Sequence, residues 1–502
     1  MRKSFSTKPA FTKKSIAITL TGTMLISGAS AAWGQTNFAV TGHVYCICDS
    51  NAISGASIAF GQYSGLSDTN GSFNISNVLP GSYAATVYQA NYLILTNTLT
   101  VTSGDGVVTN DFFLTNRTLV INPVFDSTIT SHPNAPAITN TIKSAIQLFE
   151  KYIADAICVT ILFTNTTDPT AFGGSDSAGD DLPYSRYLAD LQANPHKSAN
   201  DIKGLTTMPP GPSTGINNDA TEVWLTAANL AAIGESQMAS SLITQNGGLN
   251  GQIEFNLSYF NYSRPGQNST RYDLQSVAEH EIGEVLGIGG SGSELGWTDV
   301  GPLDFYRYSA PNKRSFTFRS SAIAYFSIDG SKTNVNFNQA GSDTDYGDWG
   351  DGISPADGQG NMPPQVQDAF IAPDDMPDLG VNELLALDLI GYTLRVTTPS
   401  LMNVTYATNT FSFTWTATPG QSYQVQSTST PTGIWTDLGS PITANDLVQS
   451  SSDSNPTDAQ RFYRVVSLPS STAPIGAALS SQIIKSPASL RTAAVKRHFL
   501  LR

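Results

Sequence analysis

Apolar and polar positions recur with two different periods along this chain, and the change of period divides it. Across 38–114, short alternating runs are separated by turn signals such as Thr69-Asn70-Gly71-Ser72-Phe73 and Leu79-Pro80-Gly81-Ser82-Tyr83, the pattern of a small β-sandwich. Across 138–156 the spacing becomes helical, with Ile142, Ile146, Phe149, Tyr152 and Ile153 on one stripe. A strand at 159–163 follows, then helices at 187–193 and 226–233, a strand at 251–260 and a last helix at 382–390. Alternation returns after Tyr392, in Phe411-Ser412-Phe413-Thr414-Trp415 and again in Arg461-Phe462-Tyr463-Arg464-Val465-Val466, with Trp415 and Trp435 read as core and edge residues. The predicted fold is multi-domain: an N-terminal β-sandwich (35–115), a central α+β domain (118–395) and a C-terminal β-sandwich (399–468). This division suits 502 residues at about 100–200 per domain.

The two ends carry different signals. Arg2, Lys3, Lys8, Lys13 and Lys14 precede an apolar run over 15–26, and Ala29-Ser30-Ala31 offers a small-x-small cleavage site. Residues 1–34 therefore read as a signal peptide, which implies a secreted, extracellular or cell-surface protein. No later segment has the roughly 20 consecutive apolar residues of a transmembrane helix. The Ser-, Ala- and Pro-rich stretch 469–502 reads as a flexible basic tail.

Charge narrows the partners. The chain has 26 Lys and Arg against 40 Asp and Glu, net −14; removing the five basic residues at each end leaves 35–468 at −24. That balance argues against nucleic acid. Asp343, Asp345, Asp348 and Asp351 gather in 341–352 as a candidate calcium loop or, equally, a solvated acidic turn, since the EF-hand spacing is missing. Cys46, Cys48 and Cys158 are odd in number and too few for a disulfide scaffold, so the domains are expected to stand without bridges.

Candidate chemistry concentrates in Ser276-Val277-Ala278-Glu279-His280-Glu281-Ile282-Gly283-Glu284-Val285-Leu286-Gly287. On a helix, residues four apart share a face, so His280 and Glu284 can reach one metal ion. Glu281 is then placed to address a metal-bound water. In the related His-Glu-x-x-His pattern the glutamate is the general base, and zinc accepts a carboxylate oxygen in place of the second imidazole. Asp273 or Ser276 is the expected N-cap, the latter with Glu279 in a capping box, and Gly287 is the stop. The preceding strand, 251–260, offers an edge on which an extended peptide could pair.

These residues carry a resemblance. The stretch 119–392 looks like the zincin metalloproteases, most closely secreted bacterial metalloproteases bearing His-Glu-Ile-x-Glu-Val-Leu-Gly. The likeness extends through Pro302-Leu303-Asp304-Phe305-Tyr306, Asp345-Tyr346-Gly347-Asp348-Trp349 and Leu387-Asp388-Leu389-Ile390-Gly391-Tyr392. It implies a zincin fold and a metalloendopeptidase acting on peptide or protein substrates. The flanks resemble a carboxypeptidase regulatory-like domain of prealbumin type and a fibronectin type III or immunoglobulin-like module. The alternative is a non-catalytic adhesion protein, touching cell-surface polysaccharide, built on a degenerate protease domain.

Two departures from better-understood zincins bear on the site. The metzincin position for a third ligand holds Gly290, so the third donor comes from elsewhere: Asp304 is the candidate, with Asp299, Asp345 and Asp348 as alternatives. Met362 and Met376 are candidates for a methionine turn, and Tyr306 for an oxyanion donor. One imidazole with two carboxylates neutralises a divalent ion, which acidifies bound water less than a His-rich set and suits manganese or iron as well as zinc.

Overall fold

Three separate hydrophobic cores follow the three stretches of pattern in the computed structural model. It describes residues 38–468 apart from 105, 170–171, 217–218, 296–299, 318, 320–321, 323, 340–344, 351–362, 374, 455 and 457–459, together with the short strand Ile484–Lys485. The signal region 1–34, the remainder of the tail, Asp299, Asp343, Asp351 and Met362 lie outside the described residues. Among the described residues no helix is long and apolar enough to cross a membrane.

The first core is a β-sandwich. Strand Phe38–Cys46 buries alternate residues because successive side chains point to opposite faces. It pairs with Ser72–Val78 on one side and with Val107–Thr109 and Phe112–Leu114 on the other. A second sheet runs Tyr63–Leu66, Ser57–Phe60, Gly81–Tyr88, Leu95–Val101. The C-terminal module is also two-sheeted, with Phe411, Phe413, Trp415, Tyr423 and Tyr463 at its centre. Trp415 is fully buried, while Trp435 lies under the Arg464 guanidinium. Within the stretch read as a flexible tail, Ile484–Lys485 pairs with Phe462–Tyr463 as an added strand.

The central domain is α+β. Its main sheet runs Gly173–Ser177, Gly251–Phe255, Cys158–Asn165, Val120–Phe125; the last three are parallel and the first is antiparallel to its neighbour. Helix Ala135–Tyr152 begins ahead of the predicted 138 because Pro136 falls in its first turn, where no backbone N–H is needed. It packs on helix Leu274–Leu286. The strand expected over 251–260 ends at Phe255: Asn256 turns its side chain onto the Ser258 amide and starts a 3₁₀ turn, Leu257–Tyr259. Its role as an open edge is also corrected. Gly251–Phe255 is internal, and the edge beside helix Leu274–Leu286 is Gly173–Ser177.

The cysteine reading needs a second correction. Cys48 and Cys158 form a disulfide that ties the N-terminal sandwich to the first residue of a central strand, while Cys46 stays free inside the sandwich. The bridge joins modules and does not staple a core, which is why core size gave no hint of it. Peptide mapping under non-reducing conditions is expected to link the Cys48 and Cys158 peptides, with Cys46 alkylated only after unfolding; a Cys46 link or three free thiols would contradict this pairing.

Candidate metal centre

Helix Leu274–Leu286 starts where Asp273 accepts the Ser276 backbone N–H at 2.8 Å. A cap of this kind contributes about 1 kcal/mol. Arg264 holds the same carboxylate through its Nε at 2.8 Å. The cap is thus Asp273, and Glu279 does not close a box with Ser276: it is buried and accepts from the Leu379 amide (2.7 Å) and Gln275 (3.0 Å). Gly287 ends the helix at φ +99°, in the left-handed region that suits glycine. Leu274, Ala278, Ile282, Val285 and Leu286 join the core, while His280 and Glu281 line a cleft of about 390 Å³.

The structure brings His280 and Glu284 together as the spacing requires. His280 Nε2 lies 3.7 Å from Glu284 Oε1 and 3.8 Å from Asp348 Oδ2. One ligand atom from each of the three lies within 4.8 Å of the others, the one such group found among the described residues. The other imidazole nitrogen, Nδ1, is 3.0 Å from the Val366 carbonyl. In the neutral ring, donation there leaves Nε2 unprotonated and available, the arrangement metal-bound histidines use. Asp348 Oδ1 accepts from Gln367 at 3.3 Å, and Glu284 accepts from Ser175 Oγ (2.6 Å) and the Gly290 amide (3.0 Å).

Asp348 reaches the helix through its loop. Trp349 stacks on Phe326 and donates its indole N–H to Glu383 (2.9 Å), which also accepts the Gln367 amide (3.2 Å). One buried carboxylate therefore fixes both the Asp348 loop and the 366–367 segment that orients His280. A β-carbon at Gly290 would stand 2.5 Å from Glu284 Oε1 and push that carboxylate out of its present position.

Asp304, the sequence candidate for third ligand, is not part of this group. Its Oδ1 accepts from Ser293 Oγ (2.6 Å), and its Oδ2 from the Gly301 (2.9 Å) and Glu294 (3.1 Å) amides. Buried and fully engaged, it caps the 3₁₀ turn Pro302–Tyr306. Tyr306 is likewise committed, donating to the Leu389 carbonyl at 3.0 Å in the core, so it is no oxyanion donor. Met376 is exposed and forms no floor beneath the site. Of the acidic loop 341–352, Asp345 and Asp348 line the same cleft as His280.

The residues fit a divalent cation, most directly because Glu281 Oε2 is buried with no hydrogen-bond partner among the described residues. Leaving such an atom unpaired costs on the order of 1–3 kcal/mol. Burial, then the nearby Glu284, pushes the Glu281 carboxyl well up, and burial with Glu284 and Asp345 does the same to Asp348 against the pull of His280. Burial disfavours charge on His280, but Asp348, Glu284 and Glu281 outweigh it and raise its pKa. Burial also acts to raise Glu284, yet His280, Ser175 and the Gly290 amide hold it below the usual range. Three carboxyls around one imidazole lack positive charge. Metal–oxygen and metal–nitrogen bonds of about 2.0–2.2 Å require donors only slightly closer together than these.

Comparison with known proteins speaks to the flanking module. The family described as polysaccharide lyase family 4, domain II, matches residues 51–108. No curated protein matches the chain. Among solved structures, a cohesin–X-dockerin complex from Acetivibrio cellulolyticus is 19% identical over 16% of this chain and 58% of that one, with a TM-score of 0.14. A DUF3823 family protein from Bacteroides ovatus is 20% identical over 16% of this chain and 46% of that one, TM-score 0.14. The major pilin subunit of Bacillus cereus is 18% identical over 15% and 29%, TM-score 0.13. The chain thus spans less than two thirds of each of these proteins, and likenesses this partial carry no argument about it. What is shown is a multi-domain chain that contains a fibronectin-like β-sandwich module.

Proposed function

We propose that the central domain is a secreted, metal-dependent endopeptidase with a zincin-like fold. The observation that carries this reading is the convergence of His280, Glu284 and Asp348 beside the buried, orphaned Glu281 oxygen, at the wall of a cleft lined by His280, Glu281 and Asp348. His280 Nε2, Glu284 and Asp348 would hold zinc, with manganese or iron also accepted by so oxygen-rich a set. When bound, the ion supplies Lewis acidity and a more acidic water. Positive charge among the three donors favours ionisation of Glu281, whose free Oε2 takes a proton from the attacking water and returns it to the leaving amine. Strand Gly173–Ser177, at the sheet edge against the helix, offers backbone groups to an extended substrate. The test is incubation of the mature chain with an unfolded protein, read by mass spectrometry with zinc, manganese or iron and again after chelation. Cleavage that stops on chelation supports the reading; intact substrate under every metal sinks it.

A second reading is a non-catalytic adhesion or carbohydrate-contacting protein. The match of residues 51–108 to a polysaccharide lyase domain is what favours it over the peptidase. Under that reading, retention on polysaccharide would persist in a chain without residues 118–395.

A further inference from the structure

We propose that a cavity separate from the metal cleft is an anion subsite that takes the carboxylate side chain of an acidic peptide residue, with Arg271 as its anchor. Its volume is about 650 Å³, larger than the metal cleft. It lies where the parallel strands Cys158–Asn165 and Gly251–Phe255 end, lined in part by Asn165 and Asn256. The carboxyl ends of parallel strands are a general place for ligand crevices in open α/β sheets.

The lining selects the chemistry. In a stretch of net charge −24, no Asp or Glu is among the described residues that line this cavity, and Arg271 is the one permanently charged group among them. Among the described residues the guanidinium makes a single long hydrogen bond, to the Phe260 carbonyl at 3.4 Å, so most of its five donors remain for a ligand. His132 Nδ1 accepts the Asn134 amide at 3.1 Å, which places the imidazole proton on Nε2 as a further donor. Asn165 spends its oxygen on the Leu257 amide (3.0 Å) and keeps its NH₂. The hydroxyls of Tyr259 and Tyr262 bond to the Pro169 and Leu257 carbonyls, leaving their rings as walls for the methylenes of an acidic side chain. Donors on apolar walls fit a carboxylate on a short alkyl stem.

That the carboxylate belongs to a peptide rests on the endopeptidase reading. One aromatic layer separates the two cavities: Phe172 lines the metal cleft and its ring contacts both Tyr259 and Tyr272, while the neighbours Arg271 and Tyr272 line one cavity each. A peptide that extends from the cleft past this layer would present an adjoining side chain to the second cavity.

The experiment is a ligand-observed NMR titration of the full mature chain with N-acetyl-glutamate methylamide and its glutamine counterpart. The acidic probe should bind roughly tenfold or more tightly than the neutral one, since a hydrogen-bonded charge is worth more than one tenfold step. Arg271→Gln should erase the difference, Arg271→Lys should restore part of it, and Glu281→Gln should leave it unchanged. Equal binding, no binding of either probe, or discrimination that survives Arg271→Gln would overturn the proposal. Galacturonate competing as strongly as the acidic probe would assign the cavity to a glycan and overturn the peptide assignment. Turnover reports separately on Glu281, so loss of the endopeptidase reading with probe binding intact would be visible as such.

Discussion

Glu281→Gln is expected to lower peptide hydrolysis by about 10²–10⁴-fold, the usual contribution of a positioned proton-transfer group, while metal content and unfolding temperature stay near wild type. The side chain sits in the cleft with Oε2 unpartnered and is not among the three converging donors. An amide of the same shape keeps the packing but cannot accept a proton. It also relieves the like charge that Glu281 shares with Glu284 and Asp348, so stability of the metal-free chain should hold or rise slightly. The check is a full rate comparison on any cleaved peptide with metal content measured on the same samples. Activity within a few-fold of wild type would remove Glu281 from the chemistry.

The second large effect is on stability against pH. Half-buried Asp155 and Asp201 and fully buried Asp388 are carboxyls electrostatically linked where the last helix, Val381–Leu389, meets helix Ala199–Leu205 and the segment after helix Ala135–Tyr152. Burial pushes Asp155 up from 3.8 to about 6, against a hydrogen bond from the Thr393 amide, and Asp201 to about 7, against bonds from Ser198. Asp388 is raised well above the ordinary range by burial and then by Asp201. All three bind protons more tightly folded than unfolded, so the folded chain carries more protons from about pH 4 to about pH 7 and stability falls as pH rises through that window. Asp155 alone, raised from 3.8 to about 6, corresponds to about 3 kcal/mol. Asp329, where burial acts to raise the carboxyl but Ser331 and Lys203 together hold it low, acts in the opposite sense only at the acid edge. Denaturant unfolding of the metal-free chain is expected to show higher stability near pH 5 than near pH 8, with Asp201→Asn reducing the difference. A flat profile, or one rising with pH, would contradict the burial account of these groups.

Legibility differed between local and distant features. The stripe Ile142, Ile146, Phe149 announced its helix because burial on one face needs that period, and His280 with Glu284 was readable because four residues make one turn. Asp273 as cap and Gly287 as stop are likewise local chemistry. The third donor was not readable: several aspartates follow the helix, and which one returns to it depends on Trp349, Glu383 and the close fit at Gly290. The Gly301-Pro302 start with Asp304 two residues on is a turn-cap signal, and it marks Asp304 as structural. Val366, Gln367 and Glu383 had no motif at all, since they act on the site through a carbonyl, an amide and a buried carboxylate. The position of Gly251–Phe255 inside its sheet and the pairing of Cys48 with Cys158 both depend on which segments meet in three dimensions.

Metal content of the mature chain, measured by elemental analysis after dialysis against limiting zinc, tests the central claim most directly when wild type is set beside Asp348→Ala and Asp304→Ala. The account predicts about one ion per chain in wild type, a loss of at least 10–100-fold in affinity for Asp348→Ala, the range already seen for groups that only support a ligand, and retention by the folded fraction of Asp304→Ala. Metal kept by Asp348→Ala and lost by Asp304→Ala, or a wild-type chain that holds no metal, would contradict it.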